Sequence, residues 1–307
     1  MNWSALISVL LAARIWKNLP LLFLLISGYA ITYHKGDYAA ILIALFTLSF
    51  SSAFMTHLNI ITDKELDAVK KPDLYKLLAQ DKKTTQTVLV AEALAVVVGL
   101  GLLLAVHAYL PALFIFIFTV VAILYSYNFL TPPNAAKNRL KITWWGHFLV
   151  LMTGYFSLWM AGYYCGEPGA YNYGTKLLFI IFLLVSLSEY SLFLVESSVD
   201  ADEEKQHSLK TAAALLGGNW ASLLAIFMCT LSLVGLFYVR TLADETLRLW
   251  IAFAFAPGII IRLLVEITIV LIRSAKLNYL WRLKVPDIVF NGTRLYTLIT
   301  LFMLKNL

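Results

Sequence analysis

The chain has 307 residues, 61% hydrophobic and 14% charged, against roughly 45–50% apolar residues in soluble domains. Together with a mean hydropathy of +0.79, this excludes an ordinary soluble globule and leaves a polytopic membrane protein. The net charge of +6 is read as cytoplasmic loop charge near anionic headgroups rather than as nucleic-acid binding, and Cys165 and Cys229 form neither a CxxC pair nor a ligand cluster, which argues against a disulfide scaffold, zinc or iron–sulfur chemistry.

In chain order, residues 3–16 form an apolar stretch bounded by Trp3 and Trp16, with Arg14 and Lys17 at its end; this suits a helix lying in the membrane interface. Its positive charge follows the apolar run instead of preceding it, so no cleaved signal is expected. Crossing ~30 Å of hydrocarbon takes about 20 apolar residues. Nine spans are predicted, with approximate cores at 18–33, 38–58, 86–110, 108–130, 142–164, 177–199, 216–239, 249–272 and 290–306. The third and fourth should turn between His107 and Pro111, because proline cannot donate into a continuing helix. The fold class is therefore all-α, about nine transmembrane helices in a single domain over 1–307.

Eighteen of the 24 Lys and Arg residues fall on one side of this layout. They include Arg14 and Lys17, the Lys64–Lys83 connection, Lys137–Lys141, Lys205 and Lys210, and a last group from Arg273 to Arg294. The positive-inside rule then puts the N-terminus and the even-to-odd connections in the cytoplasm.

The second predicted span runs into Asn59, Asp63 and Asp67. A spacing of four residues drifts only about 40° per step around a helix, so the three oxygen-bearing side chains share a face. Two carboxylates so placed repel each other, which a cation would offset; the plainer reading is a solvated helix end partnered by Lys64, Lys70 and Lys71. The sixth span ends alike, with Glu196, Asp200 and Glu204 at the same interval. Two such rows, four spans apart, fit two four-helix halves (18–130 and 142–272) opposed around a central cavity, with a ninth helix added. Facing carboxylates suit Mg²⁺, which takes oxygen ligands and substrate phosphates. The phosphate ester so implied would find cations in Lys70, Lys71, Lys137, Arg139, Lys141 and Lys210. A charged mouth over an apolar, aromatic-rich interior implies an amphiphile, a prenyl diphosphate.

These residues resemble the UbiA superfamily of intramembrane prenyltransferases. The first acidic motif of that superfamily stands here as Asn59, Asp63 and Asp67, with Ile60 where many members are acidic; the second stands as Asp200, Glu203, Glu204, Ser208, Lys210 and Thr211, with Glu204 for the usual Asp and Ser208 for the usual Gly. Tyr125-Ser126, Pro132-Pro133 and Arg139-Leu140-Lys141 look like a stretched form of its Y-S-x-P-P-x-R-L-K loop, and Lys71-Pro72 sits where Arg-Pro is common. The resemblance implies that Asp63, Asp67, Asp200 and Glu204 hold two Mg²⁺ ions on the diphosphate, with Asn59 as a further oxygen ligand. It implies ionisation to an allylic carbocation and prenyl transfer to a lipophilic acceptor, expected to be aromatic. Tyr125, Tyr127 and Tyr190 are the aromatic faces expected near that cation.

Within the spans, Arg262 and Glu266 are spaced to pair with each other, whereas Glu92 and Glu189 lack an obvious partner. Intramembrane charge is costly and often functional, and Glu189 is close enough to the second motif to line the cavity, position an acceptor or take a proton. His57 and His147 are read as ordinary polar residues. Two other readings stay open: a terpene cyclase on the same scaffold, which quenches the cation within its own chain, and a transporter, which would place its carboxylates nearer the midplane.

Overall fold

In a computed structural model of the protein, residues 15–32, 38–62, 82–126, 144–166, 175–199, 201, 205, 211–273 and 279–305 are described. The interfacial helix expected over 3–16 lies almost wholly outside them. Where water is absent, the backbone must satisfy its own polar groups, and helices do so locally. The elements are α1 (Ile15–Thr32), α2 (Ala39–Thr62), α3 (Lys82–Ala105), α4 (Tyr109–Ser126), α5 (Trp144–Cys165), α6 (Thr175–Val199), the short α7 (Ala212–Leu216), α8 (Gly218–Leu242), α9 (Glu245–Trp250), a π-turn (Ile251–Phe255), α10 (Ala256–Arg273) and α11 (Tyr279–Lys305).

Six of these helical stretches are long and apolar enough to cross a membrane: Ala39–Asn59, Lys83–Ala105, Trp145–Cys165, Lys176–Val195, Gly218–Leu242 and Glu245–Leu271. Pro20–Thr32 and Tyr109–Tyr125 are apolar but shorter. α11 is long but carries Arg282, Lys284, Asp287 and Arg294, and it starts eleven residues before the apolar core expected at 290–306. The described residues thus support six spans of the expected nine. Val97, Trp220, Phe227 and Leu271 are exposed on faces suited to hydrocarbon rather than water.

The turn between α3 and α4 falls where expected. His107 adopts φ +59°, which lets the chain reverse, and Pro111 sits in the first turn of α4, where a missing N–H leaves no gap. In the eighth stretch, Asp244 caps α9 by accepting from the Leu247 N–H at 2.8 Å. Pro257 cannot donate to the Phe253 carbonyl four residues back, and the helix widens there into the π-turn, with the Ala256 N–H bonded to the Ile251 carbonyl. The freed Phe253 carbonyl accepts from the Tyr296 hydroxyl of α11 at 2.7 Å, and Ala254 from the Thr297 hydroxyl at 3.1 Å.

α1 and α5 make the broadest contact in the bundle, and α5 also packs along α4, α6 along α8, and α11 against α1, α6 and α10. Glycine permits the α1–α5 approach. A Cβ at Gly162 would overlap the Leu25 carbonyl, and one at Gly28 the Trp159 carbonyl, so the two backbones cross almost in contact. Gly162→Ala should lower stability by about 1–3 kcal/mol, the usual range for overpacking. Gly154→Ala, whose new methyl would meet the Phe118 ring at 3.7 Å, should change it by less than about 1 kcal/mol. Thermal unfolding of the detergent-solubilised variants checks both.

Candidate active site

α1, α2, α4, α5, α6 and α11 line a partly open cavity of about 440 Å³. Its wall is largely apolar: Pro20, Leu21, Met55, Phe118, Val121, Ala122, Val150, Leu151, Gly154, Phe193 and Phe290, with Tyr125, Tyr155, Asn291 and Arg294 as the polar lining residues. The two helices that lead into the acidic motifs both contribute. Met55 of α2 lies one turn before Asn59, and Phe193 of α6 lies two turns before Asp200.

Among the described candidates, Asn59 is half-buried in the last turn of α2, on the face that Met55 turns to the cavity. Tyr125 lines the cavity, and its hydroxyl lies 3.2 Å from His147 Nε2. Tyr190 is buried and stands edge-on to both His147 and Phe148, in the layer behind the lining residues. Thr211 accepts from the Ala214 N–H at 3.1 Å and so caps α7. Asp63, Asp67, Lys70, Lys71, Tyr127, Lys137, Arg139, Lys141, Asp200, Glu203, Glu204, Ser208 and Lys210 lie outside the described residues. Among the described residues, no three His, Cys, Asp or Glu side chains are grouped to hold a metal.

The intramembrane charges pair differently from the local spacing. Arg262 does not turn to Glu266; its Nη2 donates to Glu189 Oε1, its Nη1 to the Ser188 hydroxyl at 2.7 Å and its Nε to the Thr293 hydroxyl at 3.0 Å. Arg294, expected in a cytoplasmic connection, is instead buried in α11, where its Nε donates to Glu189 Oε2 at 2.7 Å and its Nη2 to the same oxygen. Glu189 therefore has two arginine partners from two other helices. It is fully buried and does not itself line the cavity but bonds the lining Arg294, so it is placed to anchor Arg294 rather than to touch a substrate directly. Glu92 also has a partner: both its oxygens lie 2.9 Å from His57 Nδ1, which ties α3 to α2 just above Asn59. His147 stands behind the wall, edge-on to the lining Phe193 at 4.3 Å between ring centres.

The sequence matches the UbiA prenyltransferase family over residues 2–276. The chain belongs to that family. Membership and the apolar helices together make it an integral membrane protein. Solved structures share its fold. A UbiA homologue from Archaeoglobus fulgidus bound to GPP and Mg²⁺ superposes with a TM-score of 0.67 at 13% identity, covering 96% of this chain and 99% of that one. The same organism's homologue bound to DMAPP and Mg²⁺ gives 0.65 at 15% identity over 96% and 99%. A digeranylgeranylglyceryl phosphate synthase gives 0.64 at 18% identity over 98% and 99%. No curated protein matches the sequence.

Removing Glu189 from this UbiA-family bundle would leave two buried guanidinium groups without their carboxylate. Breaking a buried pair typically costs 3–5 kcal/mol, so Glu189→Gln should lower the melting temperature far more than a surface Glu245→Gln, a difference that unfolding in detergent reads directly.

Proposed function

We propose that this protein is a Mg²⁺-dependent prenyltransferase that moves a prenyl group from a prenyl diphosphate to a lipophilic acceptor. The observation that carries the proposal is the convergence of α2 and α6 on one largely apolar cavity, each lining it within two turns of an acidic motif. The Archaeoglobus fulgidus homologues of the same fold, bound to GPP or DMAPP with Mg²⁺, support the choice of substrate and metal.

The donor set fits the ion: Asp63, Asp67, Asp200, Glu204 and Asn59 offer only oxygen, as a hard, oxygen-preferring cation requires. These residues would hold two Mg²⁺ ions at the mouth, which on this reading faces the cytoplasm together with the N-terminus. When bound, Mg²⁺ supplies charge neutralisation to the departing diphosphate. Lys70, Lys71, Arg139, Lys141 and Lys210 donate to the remaining diphosphate oxygens, where charge grows as the C1–O bond opens. The Tyr125 ring, fixed by His147, turns a π-face toward the allylic cation, and Tyr190 supports that wall from behind. The apolar lining accommodates the prenyl tail and keeps water from the cation.

In this proposal Asp63→Ala and Asp200→Ala each lose at least 100-fold in Mg²⁺-dependent diphosphate release from geranyl diphosphate, while melting near the wild-type temperature. EDTA should abolish release and added Mg²⁺ restore it. Near-full turnover by either variant overturns the metal site, and a hydrocarbon product formed from the diphosphate alone assigns the protein to cyclisation instead of transfer.

A further inference from the structure

Apart from Lys82 and Lys83 at its start, α3 carries a single charged residue, Glu92. The helix packs chiefly on α2, and Val90, Leu94, Val97 and Val98 leave its outer face apolar and exposed. A carboxylate on so peripheral a span is costly, and a leucine in its place would join the helices by the same burial that Val88 and Val96 already provide. Glu92 is nevertheless buried against His57, whose Nδ1 lies 2.9 Å from both carboxylate oxygens. Replacing a buried ion pair by apolar side chains of similar volume is often neutral or stabilising, so stability alone does not account for this one.

What the pair adds is direction. Apolar burial is non-directional and lets a helix turn about its axis, whereas a hydrogen bond holds one bearing. A Cβ at Gly99 would overlap the Thr47 side chain, which sets the spacing of α2 and α3 about 15 Å along the helix from His57 and leaves the end toward Asn59 to the charged pair. His57 stands two residues from both Met55 and Asn59, about 200° around the helix. α2 therefore shows His57 to α3 on one side, while Met55 lines the cavity on the other, on the face Asn59 shares one turn later. An oxygen about 5 Å from the axis moves about 2 Å when the helix turns by about 20°, against a tolerance of about 0.5 Å in a working site.

We propose that His57 and Glu92 are positioning residues for the first acidic motif: by fixing the rotation of the last turns of α2 they hold Asn59, and the motif that it opens, in the bearing that Mg²⁺ and a diphosphate need. The inference rests on the prenyl-transfer reading above and adds two residues outside the family motifs to the machinery of that site. Neither residue touches the substrate; both act through the helix. The helix that bears the second motif is braced differently, by Glu189 on α6 with its two arginines, so each of the two motif-bearing helices has its own buried charged contact, on separate partners.

The test separates position from stability, using the full chain in nanodiscs. Calorimetric titration gives the Mg²⁺ affinity in the presence of the unreactive analogue geranyl S-thiolodiphosphate, and thermal unfolding is followed alongside. The apolar double variant His57→Leu/Glu92→Leu should melt within about 2 °C of wild type yet bind Mg²⁺ about tenfold more weakly, the lower end of the loss usual when groups that orient metal ligands are removed. Glu92→Gln keeps an acceptor for the His57 Nδ1–H and should stay within about threefold of wild type. If the double variant does not fold, Glu92→Gln and Glu92→Met, compared at a temperature where both are folded, should differ in Mg²⁺ affinity by the same factor of about ten. A double variant that both melts and binds Mg²⁺ like wild type makes the pair a packing element and overturns the proposal. So does a tenfold loss in a folded Glu92→Gln, or equal affinities of the Gln and Met variants. Absence of Mg²⁺ binding by wild type with the analogue present sinks the prenyl-transfer reading itself, and shows before any variant is compared.

Discussion

A single carboxylate, Glu189, joins three helices. It receives Arg262 from α10 and Arg294 from α11, and neither arginine could stand in hydrocarbon alone, where a central charge costs at least ~3 kcal/mol and by some accounts several times that. Ser188 and Thr293 complete the guanidinium of Arg262, so its desolvation is met by hydrogen bonds as well as by opposite charge. Buried ion pairs seldom add net stability over a well-packed apolar alternative. Their role here is one of position: they set the rotation of α11 and thereby bring Phe290, Asn291 and Arg294 to the cavity.

The rest of the bundle works by shape. The glycine crossing of α1 and α5 draws one side of the cavity tight, and aromatic contacts such as Trp159 on Phe182, stacked at 5.0 Å, and Phe156 on Phe179, edge-on at 4.6 Å, fill the layers behind it. The His57–Glu92 pair braces α2 against α3, with His57 two residues from the cavity-lining Met55. The chamber is largely apolar, with Tyr125, Tyr155, Asn291 and Arg294 as its polar lining residues, an arrangement suited to an amphiphile.

How much of this was legible in the chain depends on whether a feature is local. Hydropathy placed α2 at 38–58 against Ala39–Thr62 and α8 at 216–239 against Gly218–Leu242, and Pro111 marked the turn between α3 and α4. The start of α9 was missed by four residues although Asp244 and Glu245 form a capping signal. α11 was cut short because Arg282, Lys284 and Asp287 interrupt the apolar run, and a span counted by hydropathy stops at charge. The pairing of Glu189 was not legible at all. Spacing within one helix pointed Arg262 to Glu266, while the actual partner lies 73 positions away in sequence. The clue was the presence of unmatched charges, Glu189, Arg262 and Arg294, on separate apolar stretches. The family motifs were readable as residues, with the carboxylates themselves lying beyond the described helix ends.

The π-turn at Ile251–Phe255 has a further effect on the charged layer. One additional residue in a turn rotates everything downstream by about 100° relative to a straight α-helix, so the orientation of Arg262 and Glu266 toward α6 depends on a widening at Ile251–Phe255, two to four turns earlier in the chain. Straightening that segment would sweep the guanidinium toward the lipid. The proline that deprives its helix of one hydrogen bond therefore also keeps a cation out of the acyl chains, and a backbone irregularity serves as the hinge pin of the electrostatics.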